Sequence, residues 1–96
     1  MMSLTIIAHI TAKPEHIALV KNELQKLIAP TRLEEGCISY DLHQDNQDPA
    51  HFVFFEKWSS HALWQVHMNN QPLKDYLAAV DGAVADFQIS EMTAID

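Results

Sequence analysis

Leu4 to Thr11 alternates strictly, with Leu4, Ile6, Ala8 and Ile10 on one side and Thr5, Ile7, His9 and Thr11 on the other. A period of two predicts a strand with two different faces. Pro14 then stands where a first helical residue belongs, and Ile17, Val20, Leu24, Leu27 and Ile28 recur at helical spacing, which predicts an amphipathic helix. Pro30 lacks an amide hydrogen and crowds the turn before it, so the helix is expected to end or kink there, with Gly36 closing the turn in the left-handed conformation.

Cys37 to His43 alternates again, placing Ile38, Tyr40 and Leu42 opposite Ser39, Asp41 and His43, and His51 to Trp58 reads as the return strand. Between them Gln44 to Ala50 carries turn chemistry throughout and is the length of a hairpin loop. Ser59 or Ser60 offers a cap for a helix over His61 to Met68, with Leu63, Val66 and His67 on one face. Asn70 or Gln71 ahead of Pro72 marks a further helix start, and Leu73, Tyr76, Leu77 and Val80 carry its stripe to Gly82. Phe87 to Ile95 is a last alternating segment. Strand, helix, strand, strand, helices, strand is the order of the α+β ferredoxin-like split βαβ plan, a four-stranded antiparallel sheet with helices on one face. Its other face, bearing apolar side chains, would expose a patch larger than monomers usually tolerate. A homodimer stacked sheet on sheet is the simplest cover.

Ninety-six residues leave room for one domain, 1–96, and 48 % hydrophobic against 20 % charged residues is a globular balance. The charge of −7 repels a phosphate backbone, so no nucleic-acid partner is expected. No apolar run reaches the roughly 18 residues of a membrane span, and the start Met1-Met2-Ser3-Leu4 does not read as a secretory signal, so the expected location is cytoplasmic and off the membrane. The lone Cys37 fits a reducing compartment and reads as a small strand residue rather than a nucleophile. Two glycines are too few for a phosphate-cradling loop.

The segments Arg32-Leu33-Glu34-Glu35-Gly36-Cys37-Ile38-Ser39-Tyr40 and Phe55-Glu56-Lys57-Trp58-Ser59-Ser60-His61-Ala62-Leu63-Trp64-Gln65-Val66-His67 resemble the antibiotic biosynthesis monooxygenase-like family over nearly the whole chain. The resemblance implies a dimeric α/β barrel and a cavity between sheet and helices. There, molecular oxygen attacks a small aromatic substrate, a quinol or other diol, without metal or flavin. It also implies where this chain departs from its relatives. Pro72 stands where many quinol-oxidising members carry a second histidine, so only His67 carries over. Phe54 replaces the asparagine of polyketide-oxidising members, and Trp64 lies near their proton-donating tyrosine. His9, Val66 and the Asp75-Tyr76 pair lie near the positions that haem-degrading relatives use. The family also includes a phosphorylated-dione isomerase and members without known activity. An isomerase of a small dicarbonyl and a non-catalytic, ligand-binding or stress-associated dimer are therefore the alternatives to the oxygenase.

His67 is the expected base, because an imidazole among apolar neighbours is desolvated, neutral and able to take a phenolic proton. Phe54, Trp58, Trp64, Tyr76 and His9 are the candidates for lining a flat pocket, with Phe52 and Tyr76 also suited to plain core packing. Glu56, on the inner strand face, must be paired or near water; it either orients an imidazole or pairs with Lys21, Lys57 or Arg32. No built metal site is expected. His61 and His67 sit on different helix faces, and His43 and His51, as neighbours across the hairpin with Asp41 or Asp45, suit adventitious metal alone.

Overall fold

In the computed structural model, which describes residues 3–95, the chain runs β1 (Leu4–Ala12), a 3-10 turn (Pro14–His16), α1 (Ile17–Lys26), α2 (Ile28–Arg32), β2 (Cys37–Gln44), β3 (His51–Trp58), α3 (His61–Met68), α4 (Gln71–Ala79) and β4 (Val84–Met92). The strands form one antiparallel sheet in the order β2-β3-β1-β4. This is the expected α+β ferredoxin-like architecture. Because side chains alternate across a strand, β1 and β3 each present one row to the helices. Ile6, Ala8 and Ile10 stand directly opposite Glu56, Phe54 and Phe52. Val20, Leu24 and Leu27 press onto that row, with Trp64 and His67 of α3 and Tyr76 of α4. Each fully buried aliphatic side chain stabilises this layer by about 1.5–3 kcal/mol. No helix among the described residues is long and apolar enough to cross a membrane.

Four local expectations need correction. The long helix breaks at Leu27, and Pro30 lies inside α2. A proline ring crowds the carbonyl four residues back, here that of Lys26, so the chain tightens before Pro30, with Leu27 N donating to Leu24 O at 3.1 Å. In β2 a bulge between Cys37 and Ser39 puts Cys37 opposite Trp58 and leaves Ile38 57 % exposed, so Ile38 does not share the inner face with Tyr40. In α3 the inward residues are Trp64 and His67, whereas Val66 faces solvent. The last strand starts at Val84 rather than Phe87 and ends at Met92 rather than Ile95, because β1 fixes its length by pairing Ala12 with Val84 and Thr5 with Met92.

Thr5, Ile7, His9 and Thr11 of β1, with His51, Val53, Phe55 and Lys57 of β3, make the opposite face, which no helix covers among the described residues. There His9 Nδ1 and His51 Nε2 lie 3.0 Å apart, and His51 Nδ1 meets Asp45 Oδ2 at 3.0 Å. His43 stands opposite Val53, not His51, so the two hairpin histidines do not make the cross-strand pair expected of them.

Gly36, at φ +88°, turns the chain into β2, and its carbonyl accepts from Ser59 N at 2.8 Å. A Cβ at this position would lie 2.7 Å from both Cβ and Cδ1 of Leu63, whereas one on Gly82, at φ +79°, would meet nothing within 4 Å. Both sites carry the left-handed penalty, and only Gly36 adds a collision. Gly82→Ala is therefore expected to cost ~1 kcal/mol and Gly36→Ala at least ~2 kcal/mol in urea denaturation. Equal losses would show that packing against Leu63 does not matter.

Candidate active site

Between the sheet and the helices lies a cavity of about 360 Å³. Ala8, Ile10 and Phe54 form its floor, Leu24 and Leu27 one wall, and Met68, Leu73 and Tyr76 another. Tyr40 closes one end and stacks on Phe54 with ring centroids 4.3 Å apart. Burial pushes the phenols of Tyr40 and Tyr76 well above their ordinary range, so both remain protonated. No lysine or arginine is among the lining residues; the charged types there are Glu56, His67 and Asp81.

His67 reaches this space from the last turn of α3, a helix that begins at Ser60, whose hydroxyl accepts from Leu63 N. Its ring is 3 % exposed and lies against Trp58, centroids 4.7 Å apart, with the edge of Tyr40 at 5.6 Å. Nδ1 is 2.8 Å from Glu34 Oε1, and the other Glu34 oxygen accepts from Asn70 Nδ2. Asn70 Oδ1 in turn caps α4 by accepting from Leu73 N. A carboxylate at Nδ1 fixes that nitrogen as the donor, so the neutral ring keeps its lone pair on Nε2. Nε2 has no hydrogen-bond partner among the described residues. Burial lowers the His67 pKa below its ordinary value of 6.5, and Glu34 opposes that shift by hydrogen bond and by charge.

Glu56 enters the cavity from β3 and is 4 % exposed. Its Oε1 accepts from Trp58 Nε1 at 2.9 Å. Burial raises its pKa to about 7, assisted by the charge of Glu34 and opposed by the Trp58 hydrogen bond. Neither role expected for Glu56 is present among the described residues, where Lys21, Lys57 and Arg32 all leave it without an ion pair. The imidazole is oriented by Glu34, while Arg32 binds the Tyr40 carbonyl and Asp41, and Lys57 lies over the Phe55 ring on the far face.

Phe54, Glu56, His67 and Tyr76 thus share one cavity. Trp58 is fully buried behind His67 and outside the lining. Trp64 is 4 % exposed, also outside it, packed beside His61 with its Nε1 buried and without a partner among the described residues. His9 is on the opposite face of the sheet. Sequence reasoning missed Glu34, Asn70 and Tyr40 as members of this site. Burial raises the Cys37 thiol pKa, helped by Glu56 and Glu34, which makes it a poor nucleophile. Among the described residues no three His, Cys, Asp or Glu side chains are grouped to hold a metal ion.

The cavity between this α+β sheet and its helices, bordered by a carboxylate-held histidine, has the volume typical of small-molecule sites. Residues 3–79 match the family described as antibiotic biosynthesis monooxygenase, and the chain belongs to that family. A Mycobacterium tuberculosis protein provisionally named as a monooxygenase is 32 % identical over 75 residues, 78 % of this chain and 73 % of its own length. An uncharacterised Synechocystis protein is 35 % identical over 65 residues, 68 % of this chain, and the match spans 42 % of that protein's length. The crystal structure of a Pseudomonas aeruginosa protein superimposes with a TM-score of 0.96 at 33 % identity, covering 100 % of this chain and 97 % of that one.

Replacing Glu34 by Gln keeps an acceptor for His67 Nδ1 but removes the charge. The His67 pKa, followed by NMR titration, is expected to fall further below 6.5 in Glu34→Gln. An unchanged or higher value would mean that Glu34 does not tune the ring.

Proposed function

We propose that the chain is a cofactor-independent monooxygenase of a small, uncharged aromatic diol or quinol, with His67 as general base. The observation that carries this reading is the Glu34–His67 pair, which leaves an unpartnered Nε2 on a ring that borders a mostly apolar cavity. A phenolic O–H presented to Nε2 loses its proton there. The phenolate then gives one electron to molecular oxygen, and superoxide and the ring radical combine through a new C–O bond. Cleavage of the O–O bond leaves one oxygen on the ring as a carbonyl and releases the other as water, while the ring loses its hydrogen at that carbon. Hydroquinone plus oxygen thus yields hydroxyquinone plus water, a four-electron oxidation of the ring matched by four-electron reduction of oxygen.

Moving a proton from a phenol of pKa ~10 to even an ordinary imidazole is uphill by about 5 kcal/mol, and the lowered basicity of His67 makes the step steeper. That fits inside the barrier of about 16 kcal/mol that corresponds to ~10 turnovers per second. The cavity lining also argues against the isomerase alternative, because a phosphorylated dicarbonyl needs a cationic clamp and no lysine or arginine is there.

Oxygen uptake with a panel of hydroquinones tests the reading. The expected result is uptake equal to product formed, kcat lower by ~10²–10⁴-fold in His67→Ala, and activity that declines on acidification as the imidazole takes up a proton. Tight binding without uptake for every member of the panel would favour the non-catalytic, ligand-binding alternative. We read the protein as one cytoplasmic domain over residues 1–96, with a second copy covering the open sheet face around Ile7, Val53 and Phe55. Sedimentation equilibrium at micromolar concentration should give a dimer for the wild type and a monomer for Phe55→Glu. A monomeric wild type would remove the second copy from the proposal.

A further inference from the structure

Glu56 is the acidic group that the sheet contributes to the cavity floor. Register places it in a row running from Tyr40 on β2, through Glu56 on β3 and Ile6 on β1, to Glu91 on β4. Glu91 is turned to His61 at 3.3 Å. The other ionisable groups nearby are Cys37 and Tyr40 on β2, Glu34 in the turn after α2, His67 on α3, and Tyr76 and Asp81 across the cavity. None is a lysine or arginine, and His67 gives its Nδ1 to Glu34.

Among the described residues a carboxylate here would be buried with no cation beside it and with one oxygen unsatisfied, which is costly. The neutral acid fits the geometry. Trp58 Nε1 is a donor only, so Oε1, at 2.9 Å from it, has to be the accepting oxygen. Trp58 is fully buried against His67, which fixes the plane of this contact. The acid proton then belongs on Oε2, which has no partner among the described residues and belongs to a side chain lining the cavity.

We infer that Glu56 is a substrate-recognition acid: its neutral carboxyl donates from Oε2 to an acceptor oxygen of the ligand, while His67 Nε2 accepts from a phenolic O–H of the same molecule. The inference rests on the proposed reading of the cavity and sharpens its substrate class. The favoured ligand is an aromatic ring with two oxygens, one that donates and one that accepts. A simple phenol leaves Oε2 unpaired, and an alkylbenzene leaves both protein groups unpaired.

Two redox-inert probes of similar shape separate the possibilities: para-hydroxyacetophenone has both a phenol and a carbonyl, and para-ethylphenol lacks the carbonyl. Calorimetric titration at pH 6 is expected to show a preference of ~10-fold for the ketone in the wild type. The preference should shrink several-fold at pH 7.5 in the wild type but hold at both pH values in Glu56→Gln. The amide of that variant still accepts from Trp58 and still donates, and it does not titrate. Glu56→Leu should bind the two probes equally. The infrared carbonyl stretch of a protonated carboxyl should be present at pH 6, shift when the ketone binds, and be missing from Glu56→Gln. Equal affinities in the wild type at pH 6, or absence of that band, would overturn the inference and leave oxygenase activity to be judged by oxygen uptake. A preserved preference with no oxygen uptake would sink the oxygenase reading and leave Glu56 in its assigned role.

Discussion

The hydrogen bond between Glu34 and His67 joins two parts of the chain that no secondary-structure element connects. Glu34 lies in the turn between α2 and β2, and His67 in the last turn of α3. Both Glu34 oxygens are used, one by the imidazole and one by Asn70, and Asn70 also caps α4. One carboxylate therefore sets the tautomer of the ring and ties the end of α3 to the start of α4. Removing it would strand a buried N–H, at about 1–3 kcal/mol, and free the ring to rotate. The reach of Glu34 depends in turn on Gly36, whose missing Cβ lets the turn lie against Leu63 in the first half of α3.

Burial and basicity pull against each other at this site. Desolvation keeps the imidazole neutral, which a base requires, but also weakens it as a proton acceptor. Glu34 restores part of the lost basicity without entering the cavity lining. The same low-polarity surroundings act in the opposite sense on Glu56, where they favour the protonated acid. Two groups of opposite ordinary charge are thus both biased toward neutrality by one cause. An uncharged acceptor and an uncharged donor facing one apolar space suit an uncharged ligand.

Most of the architecture was legible because alternation and helical spacing are local signals. Leu4 to Thr11, His51 to Trp58 and the stripe of α4 needed nothing else. What escaped was set by partners. The bulge that turns Cys37 inward and Ile38 outward is a feature of the pairing with β3, and the extent of β4 is dictated by β1. At the site, His67 could be singled out and given a lowered pKa, but Glu34 could not be told from Glu35, since a turn has no period to say which carboxylate points inward. Trp58 and Trp64 look like pocket walls because large rings are rarely fully buried; here both are enclosed, one behind the imidazole and one beside His61. The Glu56–Trp58 bond left a readable trace: residues two apart on a strand share a face, and an indole N–H is a natural partner for a buried carboxyl.

The period of two that builds the sheet also separates its two tasks. Phe52, Phe54 and Glu56 face the helices while His51, Val53, Phe55 and Lys57 face outward, so β3 serves the cavity and the open face with alternate residues. Ile10 and His9 divide β1 in the same way. On the outer face His51 is anchored to Asp45 in the hairpin loop and His9 to His51, while the inner histidine is anchored to Glu34 in the preceding turn, so the two faces use separate carboxylates. A side-chain change on one face reaches the other only through the backbone ladder that both share. Because β1 and β3 are hydrogen-bonded along their length, that ladder resists displacement. The open face on one side can therefore diverge without moving the imidazole, the carboxyl or the floor of the cavity on the other.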